Sequence, residues 1–165
     1  MADLRIRQAV RALLVTPEQA VLLVRFEFAT ATVWALPGGG LEPGEDHLTA
    51  LRRELIEEVG LHDVAIGAHV WTREHVIPFE DGMWDGQRDV VHVVATEHFE
   101  PRPTLSWEQL RAERLHEIRW WTLDEIEAAT ADPAATVVFA PRRMAELLRL
   151  LQRDGIPDSP LASGI

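Results

Sequence analysis

Leu36-Pro37-Gly38-Gly39-Gly40-Leu41-Glu42-Pro43-Gly44-Glu45 leads into a helical pattern that runs to Leu61, and this loop and helix decide which fold the chain can adopt. From Glu45 to Val59 apolar residues return every three to four positions, and Gly60 stands where the helix needs a C-terminal cap. Glu54, Glu57 and Glu58 are spaced i, i+3, i+4 and share one face. Leu48, Leu51, Leu55 and Val59 fall on the neighbouring face and are expected to dock it on a core. Ala50, one turn before Glu54, lies within the carboxylate arc and is expected to leave open space above it. Three solvated carboxylates so placed repel by a few tenths of a kcal/mol per pair, and more as they lose water. A divalent cation reverses that sign: Mg²⁺ takes a few carboxylate oxygens, keeps several waters and completes its shell with phosphates. The glycines would let backbone approach such a site closely. Taken singly, the glutamates also suit a wet helix face balanced by Arg52 and Arg53, and the glycines a flexible turn.

Outward from this segment, 165 residues suit one buried core and are too few for two ordinary domains, so a single domain is expected over residues 1–155. The Pro-, Ser- and Gly-rich residues 156–165 are expected to fray as a flexible tail. Hydrophobic residues at 47% and charged residues at 26% describe a globular chain. The apolar runs Ala12–Val15 and Val21–Val24 are too short to span a bilayer, and the charged start Met1–Arg5 does not read as a secretion signal. The absence of cysteine excludes a disulfide framework, a thiol nucleophile and a thiolate metal site, and together with the short apolar runs and charged start the expectation is a cytoplasmic protein. No lysine occurs, which excludes Schiff-base chemistry and a P-loop lysine. A net charge of −11 argues against nonspecific binding to nucleic acid or an anionic membrane. It also demands a cation wherever such a protein handles phosphate.

Arg5–Val15 and Val21–Phe26 flank Thr16-Pro17-Glu18-Gln19 and read as a hairpin. Val33–Leu36 reads as a short strand, and Val64–Val76 and Asp89–Phe99 as longer ones, joined by an aromatic-bearing loop over residues 78–86. Ile118–Trp121 precedes Thr122, an N-cap with Glu125 three residues on, and a helix to about Ala129. Arg142–Arg153 carries Met144, Leu147, Leu148 and Leu151 on one stripe of a second amphipathic helix. Strands interleaved with helices indicate a mixed α/β fold.

The loop and helix together resemble the Nudix box, Gly-x5-Glu-x7-Arg-Glu-U-x-Glu-Glu-x-Gly-U with U bulky and aliphatic. Gly39, Glu45, Arg53, Glu54, Leu55, Glu57, Glu58, Gly60 and Leu61 fill it without departure. At about 7% usage for each fixed residue, a chance match occurs in about one window in 10⁸. The resemblance implies an α/β/α sandwich with a mixed β-sheet. It implies a hydrolase that uses Mg²⁺ or Mn²⁺ to cleave a phosphoanhydride in a nucleoside diphosphate linked to another moiety: a nucleoside triphosphate, ADP-ribose or a nucleotide sugar. By motif position Glu54, Glu57 and Glu58 would be metal ligands, the Gly39 neighbourhood would add a backbone carbonyl, and Arg53 would hold the carboxylates in register by pairing with Glu45 or Glu57. Water would attack one phosphorus in line, with the cation lowering its pKa.

The proton acceptor stays open between Glu54 and the later carboxylates Glu97, Glu100, Glu113 and Glu117, with Glu97 and Glu100 placed first. Arg73 and Arg88 are candidate phosphate contacts, and Trp71, Phe79 and Trp84 candidate stacking surfaces for a base. Pro78, 78 − 61 = 17 residues past Leu61, weakly echoes ADP-sugar-cleaving members, and the absence of tyrosine removes a feature of dinucleoside-polyphosphate members. Two rivals share the fold. One is a sensor that binds a metabolite without cleaving it, which the intact box disfavours. The other is isoprenoid diphosphate isomerase chemistry, which the absence of cysteine disfavours. The partner expected is a nucleotide-type small molecule, and a homodimer is left open.

Overall fold

The computed structural model describes residues 2–165. Strand β1 (Ile6–Val15) turns at Thr16 into β2 (Ala20–Glu27), with the Thr16 hydroxyl oxygen accepting from the Ala20 N–H. The two strands pair only at Val15 and Val21 and then diverge. The gap is filled separately on each side. β3 (Thr32–Ala35) pairs with β2, and β4 (Gly38–Gly40) with β1. On its other edge β1 lies parallel to β6 (Gly86–Ala95) along its whole length. β5 (His69–His75) pairs antiparallel with β6, and β7 (Leu115–Thr122) with β2. Two short strands, β8 (Val138–Ala140) and β9 (Leu161–Ala162), add in parallel to β3 and β5. The mixed sheet that results is split in its middle, where β4 lies.

Helices cover both faces. α1 (His47–Val59) packs Leu51, Leu55 and Val59 on Val10, Ala12 and Leu14 of β1. α3 (Leu123–Ala131) and α4 (Met144–Asp154) bury Ile126, Met144 and Leu147 against Leu13, Trp71 and Trp121 on the opposite face. The short α2 (Trp107–Ala112) closes a small third core around Leu110, Leu115 and Val24. The expected three-layer α/β arrangement is present. None of the described helices is long and apolar enough to cross a membrane.

Several boundaries differ from the sequence expectations. The strand anticipated over residues 64–76 begins only at His69, because Gly67 pairs out of register with Val93 and a Cβ there would press on the Val93 carbonyl. α2 was not anticipated, although Ser106 and Gln109 form a reciprocal capping box that announces it. The last ten residues do not splay away as composition suggested. Leu161 and Ala162 pair with β5, and the Ser163 hydroxyl, fully buried, donates to the Thr72 carbonyl at 3.2 Å.

Candidate active site

α1 is turned differently from the wheel expectation. Its buried set is Ala50, Leu51, Glu54, Leu55, Glu58 and Val59, while Leu48 is 45% exposed. Ala50 therefore sits in the core rather than beneath open space. Glu54 and Glu58 share the buried stripe with it, at 7% and 3% exposure, and Glu57 is half-buried beside them. A merely solvated acidic face is ruled out by that burial.

The glycine strand β4 meets these carboxylates from the split in the sheet. The Gly38 N–H donates to Glu58 Oε2 at 3.0 Å. Gly38 has φ 141°, and a Cβ there would collide with the Val10 carbonyl oxygen. A Cβ on Gly39 would overlap the Glu54 carboxylate, so that contact exists only because the position carries no side chain. Arg11 of β1 donates from Nη1 to the Gly38 and Leu36 carbonyls at 2.9 and 3.3 Å, which fixes the loop from its far side.

Arg53 ties the segment together. Its Nε and Nη2 donate to both Glu45 oxygens at 2.9 Å, Nη2 also to the Gly40 carbonyl at 3.1 Å, and Nη1 to Glu54 at 3.0 Å and Glu57 at 3.3 Å. The bidentate grip on Glu45, together with the Glu42 N–H, holds that carboxyl down at about 2. Asp46 caps the helix at its start by accepting from the Thr49 N–H at 2.8 Å.

Burial works the other way on the ligand candidates. The Glu58 carboxyl is pushed up to about 8, first by burial and then by the charge of Glu54, against the opposing pull of Arg11 and the Gly38 N–H. Glu54 is raised by burial as well. Two adjacent buried carboxylates with too little positive charge are a donor set that a hard divalent cation satisfies. No group of three His, Asp or Glu side chains among the described residues forms a ready-made cage, and Mg²⁺ does not require one, because it retains water.

The segment after β6 returns to clamp the far end of α1. The N–H groups of Arg102, Thr104 and Leu105 donate to the carbonyls of Val59, Ile56 and Glu57. Those of Val59 and Glu57 are orphan acceptors of the helix terminus, while Ile56 also accepts from the Gly60 N–H. α2 follows and places its C-cap residue Glu113 within electrostatic reach of α1; burial and then the Glu57 charge raise its pKa, while Arg53 and Arg7 pull it down. Glu97 and Glu100 are exposed, and neither has a hydrogen bond or ion pair to Arg53 or to the α1 carboxylates among the described residues. Glu117 instead pairs with Arg25 at 3.0 Å.

The substrate candidates scatter. Arg73 donates to the buried Asp89 at 3.2 Å. Arg88, one position before Asp89 on β6, points to the other face, where Glu74 lies 3.8 Å away and His47 and His69 are its neighbours. Strand alternation thus keeps the two arginines from one phosphate. Trp71 is a core residue against α4 and no stacking surface. Phe79 lies against His75 and Arg7, and Trp84 is half-buried in the same β5–β6 loop. Sequence reasoning missed Arg7, Arg11, Gln87 and Asp89. Their signal was the alternation Arg7-x-Ala9-x-Arg11 and Gln87-x-Asp89 in two strands whose pairing the sequence does not state.

Comparison with known proteins bears on this geometry. A sequence profile of the NUDIX domain matches residues 5–141. An RNA pyrophosphohydrolase of Afipia carboxidovorans is 37% identical over 67 residues, 38% of this chain and 40% of that protein. The nucleoside triphosphatase NudI of Salmonella typhimurium is 38% identical over 61 residues, 37% of this chain and 43% of that protein. The chain thus spans less than half the length of the curated relatives it matches. A MutT protein from Methanosarcina mazei shares the fold, with a TM-score of 0.61 and 19% identity over 93% of this chain and 98% of that one.

Proposed function

The chain belongs to the NUDIX family, whose domain profile matches residues 5–141 of its 165, and on that premise we propose that it hydrolyses a phosphoanhydride bond in a nucleoside diphosphate linked to another moiety. The observation that carries this reading is the burial of Glu54 and Glu58 side by side against the glycine strand. Glu54 shares the one guanidinium of Arg53 with Glu45 and Glu57, and Glu58 has no ion pair among the described residues, so the two are left short of positive charge. The chemistry of these donors suits Mg²⁺ or Mn²⁺ held by Glu54, Glu57 and Glu58, with a backbone carbonyl near Gly39. When bound, the cation supplies screening of phosphate charge and activation of water.

The chain's own residues do the rest. Arg53 holds Glu45, Glu54 and Glu57 in register and acts as a positioning residue. The bare backbone at Gly39 admits the Glu54 carboxylate and keeps a side chain out of the site. Glu113 is the downstream carboxylate we assign to accept the proton of the attacking water, because it caps α2 within electrostatic reach of Glu57 and Arg53. The likeness to an RNA pyrophosphohydrolase and to a nucleoside triphosphatase supports a nucleotide-type substrate here. The cysteine-free composition supports residence in the cytoplasm.

The test is product analysis on nucleoside triphosphates, ADP-ribose, nucleotide sugars and dinucleoside polyphosphates with Mg²⁺, using Glu58→Gln as control. Turnover of one class, lost in the variant, is the expected result. Tight binding of one class with no turnover of any would replace the hydrolase by a metabolite sensor.

A further inference from the structure

Strand register places four cationic or donor side chains on one face of the sheet around a floor that is nearly bare. Across β4, β1, β6 and β5 one row reads Gly40, Ala9, Asp89, Arg73. The row on one side is Arg7, Gln87, His75, and the row on the other is Gly38, Arg11, Val91, Trp71. Residues opposed in a ladder share a face, so Arg7, Arg11, Arg73 and His75 all surround the Ala9–Asp89 position. Gly40 and Ala9 contribute no bulk, and the Arg7 guanidinium lies where a Gly40 side chain would stand.

The single acid in the group is already engaged. Asp89 accepts from Arg11 Nε at 3.1 Å, from Gln87 Nε2 at 2.9 Å and from Arg73 Nη1 at 3.2 Å. Three guanidiniums against that one carboxylate leave two positive charges in a protein of net charge −11. Glu54 and Glu58 lie within electrostatic reach of Arg11 on the side of α1, and Arg142 near Arg73 adds a further positive charge.

Two polar nitrogens are left over. Arg73 Nε, a donor, and His75 Nδ1, a donor in one tautomer, are buried with no hydrogen-bond partner among the described residues. The orphan guanidinium N–H calls for an acceptor. A cavity of about 40 Å³ opens between Arg11, Arg73 and Asp89, against the roughly 10–15 Å³ that one water needs. Arg7 and His75 lie outside that cavity, on the Gln87 side of Asp89, where Phe79 is 5.7 Å from the Arg7 guanidinium carbon and stacked on His75.

We propose that Arg7, Arg11, Arg73 and His75 form an anion site for a phosphoryl group of the substrate other than the one held on the α1 side. The assignment rests on the hydrolase reading and deepens it. It selects substrates that carry an anionic group beyond the scissile phosphate over those that end there in a neutral moiety. Planar guanidiniums in a low-dielectric surround match phosphate oxygens in geometry and charge. The alternative is a staple that only joins β1, β6 and β5, and it makes the opposite forecast when Asp89 is neutralised.

The experiment titrates inorganic pyrophosphate into metal-free protein with EDTA present, by calorimetry and ³¹P NMR at low salt. Wild type is expected to bind, with affinity falling as salt rises. Arg73→Gln and Arg7→Gln are each expected to weaken it by about tenfold or more, and Asp89→Asn to strengthen it by about tenfold. Thermal melts check each variant for folding, and Arg7→Gln, at the outer end of the network, keeps the test open if Arg73→Gln fails to fold. Absence of binding to wild type, equal affinity in Arg7→Gln, or weaker binding by folded Asp89→Asn would overturn the site. Loss of hydrolysis in Glu58→Gln with pyrophosphate affinity kept separates this assignment from the hydrolase reading, because each can then fail alone.

Discussion

The acidic and basic halves of the site are built in opposite ways. The acidic half is one continuous piece, Gly38 to Gly60, in which a capped helix presents Glu54, Glu57 and Glu58, with a single arginine bracing the first two and the Gly38 N–H the third. The basic half is assembled from three strands: Arg7 and Arg11 lie about eighty residues from their partners Gln87 and Asp89. In the first, carboxylates are forced together by local spacing and have too little positive charge. In the second, guanidiniums are forced together by tertiary pairing and have too little negative charge. On the proposed reading each half is relieved by a different ligand, a cation for the carboxylates and a polyanion for the arginines.

That contrast is open to breakage at several points, from the largest effect down. With the chemistry assigned to the acidic half as proposed, Glu58→Gln should cut turnover by about a thousandfold or more while circular dichroism stays native. The same variant should raise the melting temperature of the metal-free protein, because it removes a buried carboxylate lacking adequate compensation. Asp89→Ala acts on the basic half as a stability lesion instead, leaving Arg11 and Arg73 buried without their acid at a cost of about 3–5 kcal/mol in denaturant titration.

Glu113→Gln should lower kcat by about a hundredfold with little change in KM, whereas Glu97→Gln and Glu100→Gln should leave both constants as they are. Equal effects among the three would dissolve the special place of Glu113. Arg53→Ala should reduce kcat by about 10–100-fold, as expected when a residue that orients ligands is lost. The smallest effect is a pH signature. Glu45 is held at about 2 rather than 4.5, so its pairing with Arg53 stabilises the fold in full above the ordinary carboxylate range and is lost as pH falls towards 2. The difference in melting temperature between wild type and Glu45→Gln should therefore shrink steadily over that interval.

How much was legible follows the same division. The loop, the helix and its Gly60 cap at φ 71° were readable, because each depends on spacings of a few residues; the pairing of Arg53 with Glu45 or Glu57 was what the resemblance implied, and the structure holds both. The orientation of α1 was read less well. Leu48 was assigned to the core and is exposed, while Ala50 took its place, since the wheel gives relative angles and only the sheet decides which arc is covered. Arg73 was singled out, but Arg88 with it, although one strand edge puts them on opposite faces. Arg7, Arg11 and Asp89 were invisible as a group. An alternating strand states which residues share a face but not which strand lies beside it.

The clamp on the last turn of α1 has a consequence for how such a protein can change over generations. Residues 62 to 99 leave the helix end and come back to it, and the amides of Arg102, Thr104 and Leu105 fasten the return to Val59, Ile56 and Glu57. The excursion between those anchor points contains β5, β6 and the loop with Phe79 and Trp84, including Arg73 and Asp89. Glu113, just past the clamp, travels with α1. Insertions or rewritten contacts inside the excursion can accumulate without shifting the four carboxylates relative to one another. Preference among substrates is then free to drift while the machinery that breaks the bond is inherited unaltered.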